Sequence, residues 1–390
     1  MKKLINFSLL ALILATFAQA AYVAEKPSGE GTKENPYEIS KLENLLWMSE
    51  NSRELEPGAY YSQTCDIDAS ETANWRDGLG FPPISFSEEE DISCAFKGCY
   101  NGNNYVISDL TIKQSEQDSS VHGLFGYVSN AFLCNIKLDN AKLHFRTSGA
   151  GLVGCMINSI VSNCHAKVTF YQDWDLTEIG SLGGLAGIVY DSGTITRSSA
   201  EVKDLKGSSF LGGLFYRNLT PVSLLVPYQV VISECFTKGN IGNEEAWRVG
   251  GVAAEATGNC KCINCYSWCD VDGKQQVGGF AGYCGDVENC YVYGKVSEGG
   301  KAVTAEGGSR EGKGVYYCSD NGAEDDYATG KTYAEMTHQA TFEGWDFDNV
   351  WDIEEGESLP TLQWEAPEPG LAFLLLSMLV VPLARKKEKL

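Results

Sequence analysis

The chain has 390 residues, 43% of them hydrophobic and 42 of them glycine, with a formal net charge of −22. That charge excludes nucleic acid and anionic membrane surface as partners, since both select basic surface. Glycine this abundant without a Gly-x-y period excludes collagen, and the cysteine count (14) is too low for a disulfide-dense miniature domain.

Residues 1–20 carry Lys2-Lys3, an apolar run from Leu9 to Ala15, and Ala18-Gln19-Ala20. Charge, apolar core and Ala-x-Ala site together predict a secretory signal peptide, cut by signal peptidase so that the mature chain begins near Ala21. Residues 21–122 predict an N-terminal cap and the first coils. Asn35-Pro36 imposes extended backbone. Ser40 is placed to cap Leu42-Glu43-Asn44-Leu45-Leu46-Trp47-Met48, with Glu43 at the capping-box position. Such a helix would cover the open end of whatever strands follow. Asn101-Gly102 is a turn signal, and Tyr105 to Ile112 alternates as a strand.

Residues 123–318 repeat one phrase. Each copy has a glycine corner, a short apolar run, a polar turn and an alternating strand, as in 278–296. The corners at Gly123, Gly151, Gly184, Gly213, Gly251 and Gly279 are separated by 28, 33, 29, 38 and 28 residues. A recurring interval of this size marks a solenoid. The intervening residues are β-branched, aromatic and of alternating polarity, with no helical spacing. Stacked glycine-bounded strands of this length predict an all-β chain wound as a right-handed parallel β-helix. Cys164, Cys235, Cys265 and Cys290 fall at one position of the repeat, with Ser198 at the same place, and predict an inward ladder of small residues.

Residues 319–364 predict a C-terminal cap. A short helix starts at Tyr333-Ala334-Glu335-Met336, and Trp345, Trp351 and Trp364 supply aromatic mass. A last coil without a neighbour needs such cover. Residues 365–390 hold Pro367-Glu368-Pro369, an apolar run of about 14 residues, short for a full span of ~20, and the basic end Arg385-Lys386-Lys387-Glu388-Lys389.

The corner phrases Gly123-Leu124-Phe125-Gly126 and Gly151-Leu152-Val153-Gly154 resemble the GLUG repeat of bacterial surface proteins. The segment before them and the Leu359-Pro360-Thr361-Leu362 strand after them resemble the units that flank GLUG arrays. The tail resembles a PEP-CTERM sorting signal. That resemblance implies an exosortase-type processing enzyme as a partner, with Pro367, Glu368 and Pro369 as the motif it reads. Together these imply an exported protein of the bacterial envelope, surface or matrix, membrane-anchored before processing.

Chemistry is sparse in the sequence. His122, His144, His165 and His338 are scattered, with neither a His-Glu-x-x-His motif nor a Walker loop. Cys164 and His165 are adjacent on a strand and so point to opposite faces. Cys260, Cys262, Cys265 and Cys269 form the densest thiol cluster, open to a disulfide such as Cys260 to Cys269, to inert thiols, or to a metal. Asp139, Glu201, Asp270 and Lys295 align near one stretch with mixed charge. The expectation is a chain that is not an enzyme and uses no cofactor. Its role is then structural or adhesive, presenting Tyr171, Trp174 and Trp247 to extracellular polysaccharide or a surface protein. The alternative is a polysaccharide lyase or hydrolase, since parallel β-helices also house those enzymes.

Overall fold

The computed structural model describes residues 22–86, 92–116, 118–171, 173–175, 177–219, 229–307 and 312–365. The signal-peptide stretch, the Pro367, Glu368 and Pro369 motif with its tail, and most of the loop from Thr220 lie outside the described residues. The described residues are all-β and built of parallel strands apart from one short antiparallel pair at 351–352 and 361–362, with their helical segments lying within 42–94 and 319–365.

The repeat phrase maps onto that arrangement segment by segment. Ahead of each glycine corner runs a strand of two or three residues, beginning with Val121–His122. Ser148–Ala150, Ser181–Gly183, Phe210–Gly212, Arg248–Gly250 and Gln276–Gly278 pair successively in parallel. After the corner comes a second ladder, in which 153–157 pairs with 186–190 and 253–256 with 281–284. A third ladder begins with Tyr37–Ile39 against Tyr60–Gln63 and continues through Cys99–Asn101 and Phe132–Cys134. A fourth carries His165, Ser199, Phe236, Tyr266, Tyr291 and Tyr316 as direct neighbours in register.

Two local features fix this register. At the glycine corners, successive copies approach too closely for a side chain. A Cβ on Gly213 would stand 1.9 Å from the carbonyl oxygen of Gly251, and one on Gly251 would stand 2.2 Å from that of Gly279. Between the third and fourth ladders the chain turns through one left-handed residue per copy: Asn135, Asn163, Arg197, Glu234, Asn264 and Asn289, all with φ between 48° and 56°. Asparagine tolerates that conformation better than most residues. Its side chains also bond from copy to copy, Asn163 Nδ2 to Asn135 Oδ1 at 2.7 Å and Asn135 Nδ2 to Asn101 Oδ1 at 2.8 Å.

From Asn163 onward, the small-residue column lies directly after the left-handed residue. Cys164, Ser198, Cys235, Cys265 and Cys290 are all wholly buried. Period-2 alternation then turns His165, Phe236, Tyr266, Tyr291 and Tyr316 the other way, out of the core.

The predicted N-terminal helix forms as α1, Leu42–Glu50, and buries Leu42, Leu45, Leu46 and Met48 in the core beside Ile39. Its start differs from the expected capping box. Lys41 is the N-cap and no side chain caps the helix. Asn44 Oδ1 instead accepts from both the backbone N–H and the hydroxyl of Ser40, which occupies the expected cap. At Asn101-Gly102 the chain does turn, but Asn103 and Asn104 take the left-handed conformation and the flanking strands join different ladders.

The C-terminal segment has α2, Tyr333–Met336, with a full capping box of Thr332 and Glu335. It does more than cover the last coil. Residues 342–365 run back along the outward face of the fourth ladder. Trp345, Trp351 and Leu362 share one buried cluster there with Tyr316, Tyr291, Tyr266 and Phe236. Trp364 reaches as far as His165 and Phe236, stacking on them at 5.1 and 5.6 Å.

Candidate functional site

The outward surface of the early repeats carries a platform that residues 342–365 do not cover. Lys113, His144 and Tyr171 are register neighbours at the end of the fourth ladder, since Leu143 pairs with Phe170 and His144 with Lys113. The Tyr171 ring lies flat on the His144 imidazole, with centroids 4.6 Å apart and planes 7° from parallel. Its other side is open, and the residue is 41% exposed.

The loop after Tyr171 folds back over these strands. Asp173 Oδ2 accepts from Lys113 Nζ at 2.6 Å and lies 2.9 Å from His144 Nδ1. Partial burial works against ionisation of Asp173, but the bonds from Lys113 and His144 outweigh it and hold the carboxyl below its usual range. Lys113 also sits 5.8 Å from the centre of the Trp174 ring. Chemically this is a flat aromatic surface beside a cation and a hydrogen-bonded carboxylate. Sugar rings stack on such surfaces while their hydroxyls meet the polar groups.

The predicted aromatic contacts separate into three situations. Tyr171 is open and stacked. Trp174 is half-buried and packs against the main core as well as meeting Lys113. Trp247 is 54% exposed on the short-strand corner two copies further on. It follows the path from Thr177 through Ser208, whose carbonyl accepts from the Trp247 backbone N–H at 3.3 Å. Sequence reasoning missed His144, Asp173 and Lys113 as partners of Tyr171. The signal was one repeat length: His144 and Tyr171 are 27 residues apart, close to the 28 separating Gly123 from Gly151.

The aligned charged residues do not converge on one point. Lys167 stands 3.9 Å from Asp139 and pairs in register with Glu201, which pairs with Lys238, so charges alternate along that row. Asp270 pairs instead with Asn240 and accepts from the backbone of Lys295. Lys238 is drawn into the aromatic flank, 4.4 Å from the centre of Phe236 and 4.6 Å from that of Trp268, with Glu365 at 3.7 Å. Glu365 accepts from the Tyr266 hydroxyl at 2.8 Å, and burial pushes its carboxyl up.

Cys260, Cys262, Cys265 and Cys269 are wholly buried free thiols, and Cys260 to Cys269 is not a facing pair. Cys260 and Cys262 belong to the third ladder, opposite Val230 and Ile232. Cys269 lies in the fourth, opposite Gly239, with Thr237 and Ser267 as its polar neighbours. No group of three or more histidine, cysteine or acidic side chains suited to a metal ion occurs among the described residues. Cys164 and His165 point apart as expected. Burial brings His165 down to about 4, with Lys137 adding to the effect.

No family model matches the chain. Over 180 residues, 45% of its length, the chain is 36% identical to halomucin of Haloquadratum walsbyi, of which it spans 2%. Over 145 residues, 36% of its length, it is 30% identical to the "Putative Gly-rich membrane protein" of Evansella cellulosilytica, of which it spans 15%. Among solved structures, one described as a "putative immunoglobulin A1 protease" from Bacteroides ovatus matches with a TM-score of 0.50 at 19% identity. That match covers 86% of this chain and 95% of the other. A second, described as "IgA1 Protease", matches 86% of this chain and 26% of its own with a TM-score of 0.49 at 15% identity. The expectation that this chain is not an enzyme is corrected by the Bacteroides ovatus match. It rested on the sparse chemistry of the sequence, and the Bacteroides ovatus structure carries a protease name with 95% of its chain matched by this one. At 19% identity the likeness shows the fold alone and assigns no reaction.

Proposed function

We propose that the chain is the repeat body of an exported cell-surface protein, wound as a right-handed parallel β-helix of GLUG type, and that it binds extracellular glycan on the flank around Tyr171. The observation that carries this reading is the Tyr171 ring, stacked on His144 and held open beside the Lys113–Asp173 pair. An exposed aromatic in a loop normally loses order; here the imidazole beneath and the ion pair beside it hold it in place before any ligand arrives.

Parallel pairing of every repeat with the next supports the β-helix, and right-handed crossovers are the rule for parallel strands. The membrane name of one relative supports the surface location. Anchoring is assigned to the tail on its sequence, the apolar run and basic end that follow Pro367-Glu368-Pro369, with that triplet as a PEP-CTERM sorting motif for an exosortase-type enzyme.

The test is retention of the full chain on a panel of neutral and acidic polysaccharides, with new reducing and unsaturated ends recorded in the same wells. Retention that falls at least tenfold in Tyr171→Ala supports the reading. Retention unchanged in that variant, or none on any glycan, would overturn it. Fragments released by the wild type alone would add a reaction to this flank.

A further inference from the structure

Seven cysteines lie inside the stack between residues 235 and 290, apart from the glycan-facing flank. Three of them, Cys235, Cys265 and Cys290, occupy successive levels of one inward column, because Phe236 pairs with Tyr266 and Tyr266 with Tyr291. Parallel neighbours stand about 4.8 Å apart, within the Cα separations that a disulfide spans. Cys235 and Cys290 are two levels apart, about 9.6 Å, beyond each other's reach. Cys265 lies between them and neighbours both, each thiol donating to a backbone carbonyl. Its contact with Cys290 is the more intimate one: the Cys265 backbone N–H donates to Cys290 Sγ at 3.2 Å, which holds that sulfur against Cys265.

We propose that this column is a modification site, at which a disulfide between Cys265 and Cys290 staples two successive repeats while Cys235 stays a thiol. The two thiols give up two electrons and two protons. A small organic disulfide, oxidised glutathione for instance, accepts them in two exchange steps and leaves as two thiols. All three sulfurs are wholly shielded in the folded chain, so exchange belongs to folding, before the two repeats close on one another.

The test uses the full chain, reduced and denatured, then refolded in reduced and oxidised glutathione, quenched in acid, alkylated in denaturant and digested without reduction. The expected result is one joined peptide holding Cys265 and Cys290, with Cys235 alkylated and the melting temperature raised by several degrees over the reduced chain. Cys265→Ser should fold, because Ser198 already occupies this column, and it should leave Cys290 fully alkylated with no gain in melting temperature. Native chain held with oxidised glutathione in sub-denaturing urea should give the same link, which makes the result independent of refolding yield. Full alkylation of Cys265 and Cys290 under both regimes, or a link from Cys265 to Cys235, would overturn the proposal.

Discussion

Two flanks of the same ladder start from the same kind of residue and end differently. On one, Phe236, Tyr266, Tyr291 and Tyr316 line up copy upon copy and disappear beneath residues 342–365. On the other, His144 and Tyr171 stack just as closely and remain in the open. Outward aromatics are therefore not by themselves a binding signal in this chain. What decides is whether the chain's own C-terminal segment lies over them. Cover turns an aromatic row into core; its absence, together with an ion pair that keeps the ring in place, leaves a platform.

The covered flank should be sensitive to truncation. Trp351 is wholly buried and stacks on Trp345 at 4.3 Å, with Tyr266 and Tyr291 within 6.3 Å. Trp351→Ala should destabilise the chain by about 3–5 kcal/mol, the range for deleting a buried indole. Urea unfolding reads that loss. Increased binding of a hydrophobic dye before the main transition would show the segment lifting off the ladder first. A change below about 1 kcal/mol would mean that the segment is an appendage and that the two flanks differ less than their packing implies.

Much of the parallel body was legible because its signals are local. Glycine corners, alternating strands and the small-residue column repeat in the sequence at the intervals at which they stack in space. The left-handed corner was legible in part, as asparagine at 135, 163, 264 and 289, but Arg197 and Glu234 hide two of its members. Contacts between distant segments were not legible. Nothing in Trp364 points to His165, 199 residues earlier, and nothing in Asp173 points to Lys113. The thiol cluster misled for a related reason. Nearness along the chain linked Cys260 with Cys269, whereas a strand turn puts them in different ladders and sets each beside other neighbours.

Acid should sharpen the contrast. His165 lies beneath Trp364, with Nδ1 3.0 Å from Ser199 Oγ and Nε2 3.2 Å from Asn163 Oδ1, a pairing that suits the neutral ring. Its folded-state value is about 4, against 6.5 when free. The unfolded chain therefore takes up a proton at a higher pH than the folded chain does. Stability from this group is complete above pH 6.5, falls as the pH drops toward 4, and changes little below that. The loss should be about 2 kcal/mol, somewhat less than the full shift implies because the ring keeps some contact with water. His165→Gln should remove that part of the slope, read as the difference between urea midpoints of variant and wild type at pH 7 and pH 4.5. Equal slopes would mean that the Trp364 cover opens readily enough for His165 to titrate as a free histidine.

The smallest effect on stability should come from the open flank, where the largest effect on binding is expected. Tyr171→Ala removes a ring with one face already in water, so its unfolding midpoint should stay within about 0.5 kcal/mol of wild type. Tyr266→Ala, one ladder position in the covered row, should lose several times as much, because its ring is wholly buried and its hydroxyl holds Glu365. Measured together, the pair separates structure from function. A Tyr171 variant as unstable as the Tyr266 variant would place its stack with the core aromatics and remove the platform as a binding surface. A stable Tyr171 variant that no longer holds glycan would show two identical-looking stacks serving opposite ends, one to keep the repeats together and one to meet what lies outside them.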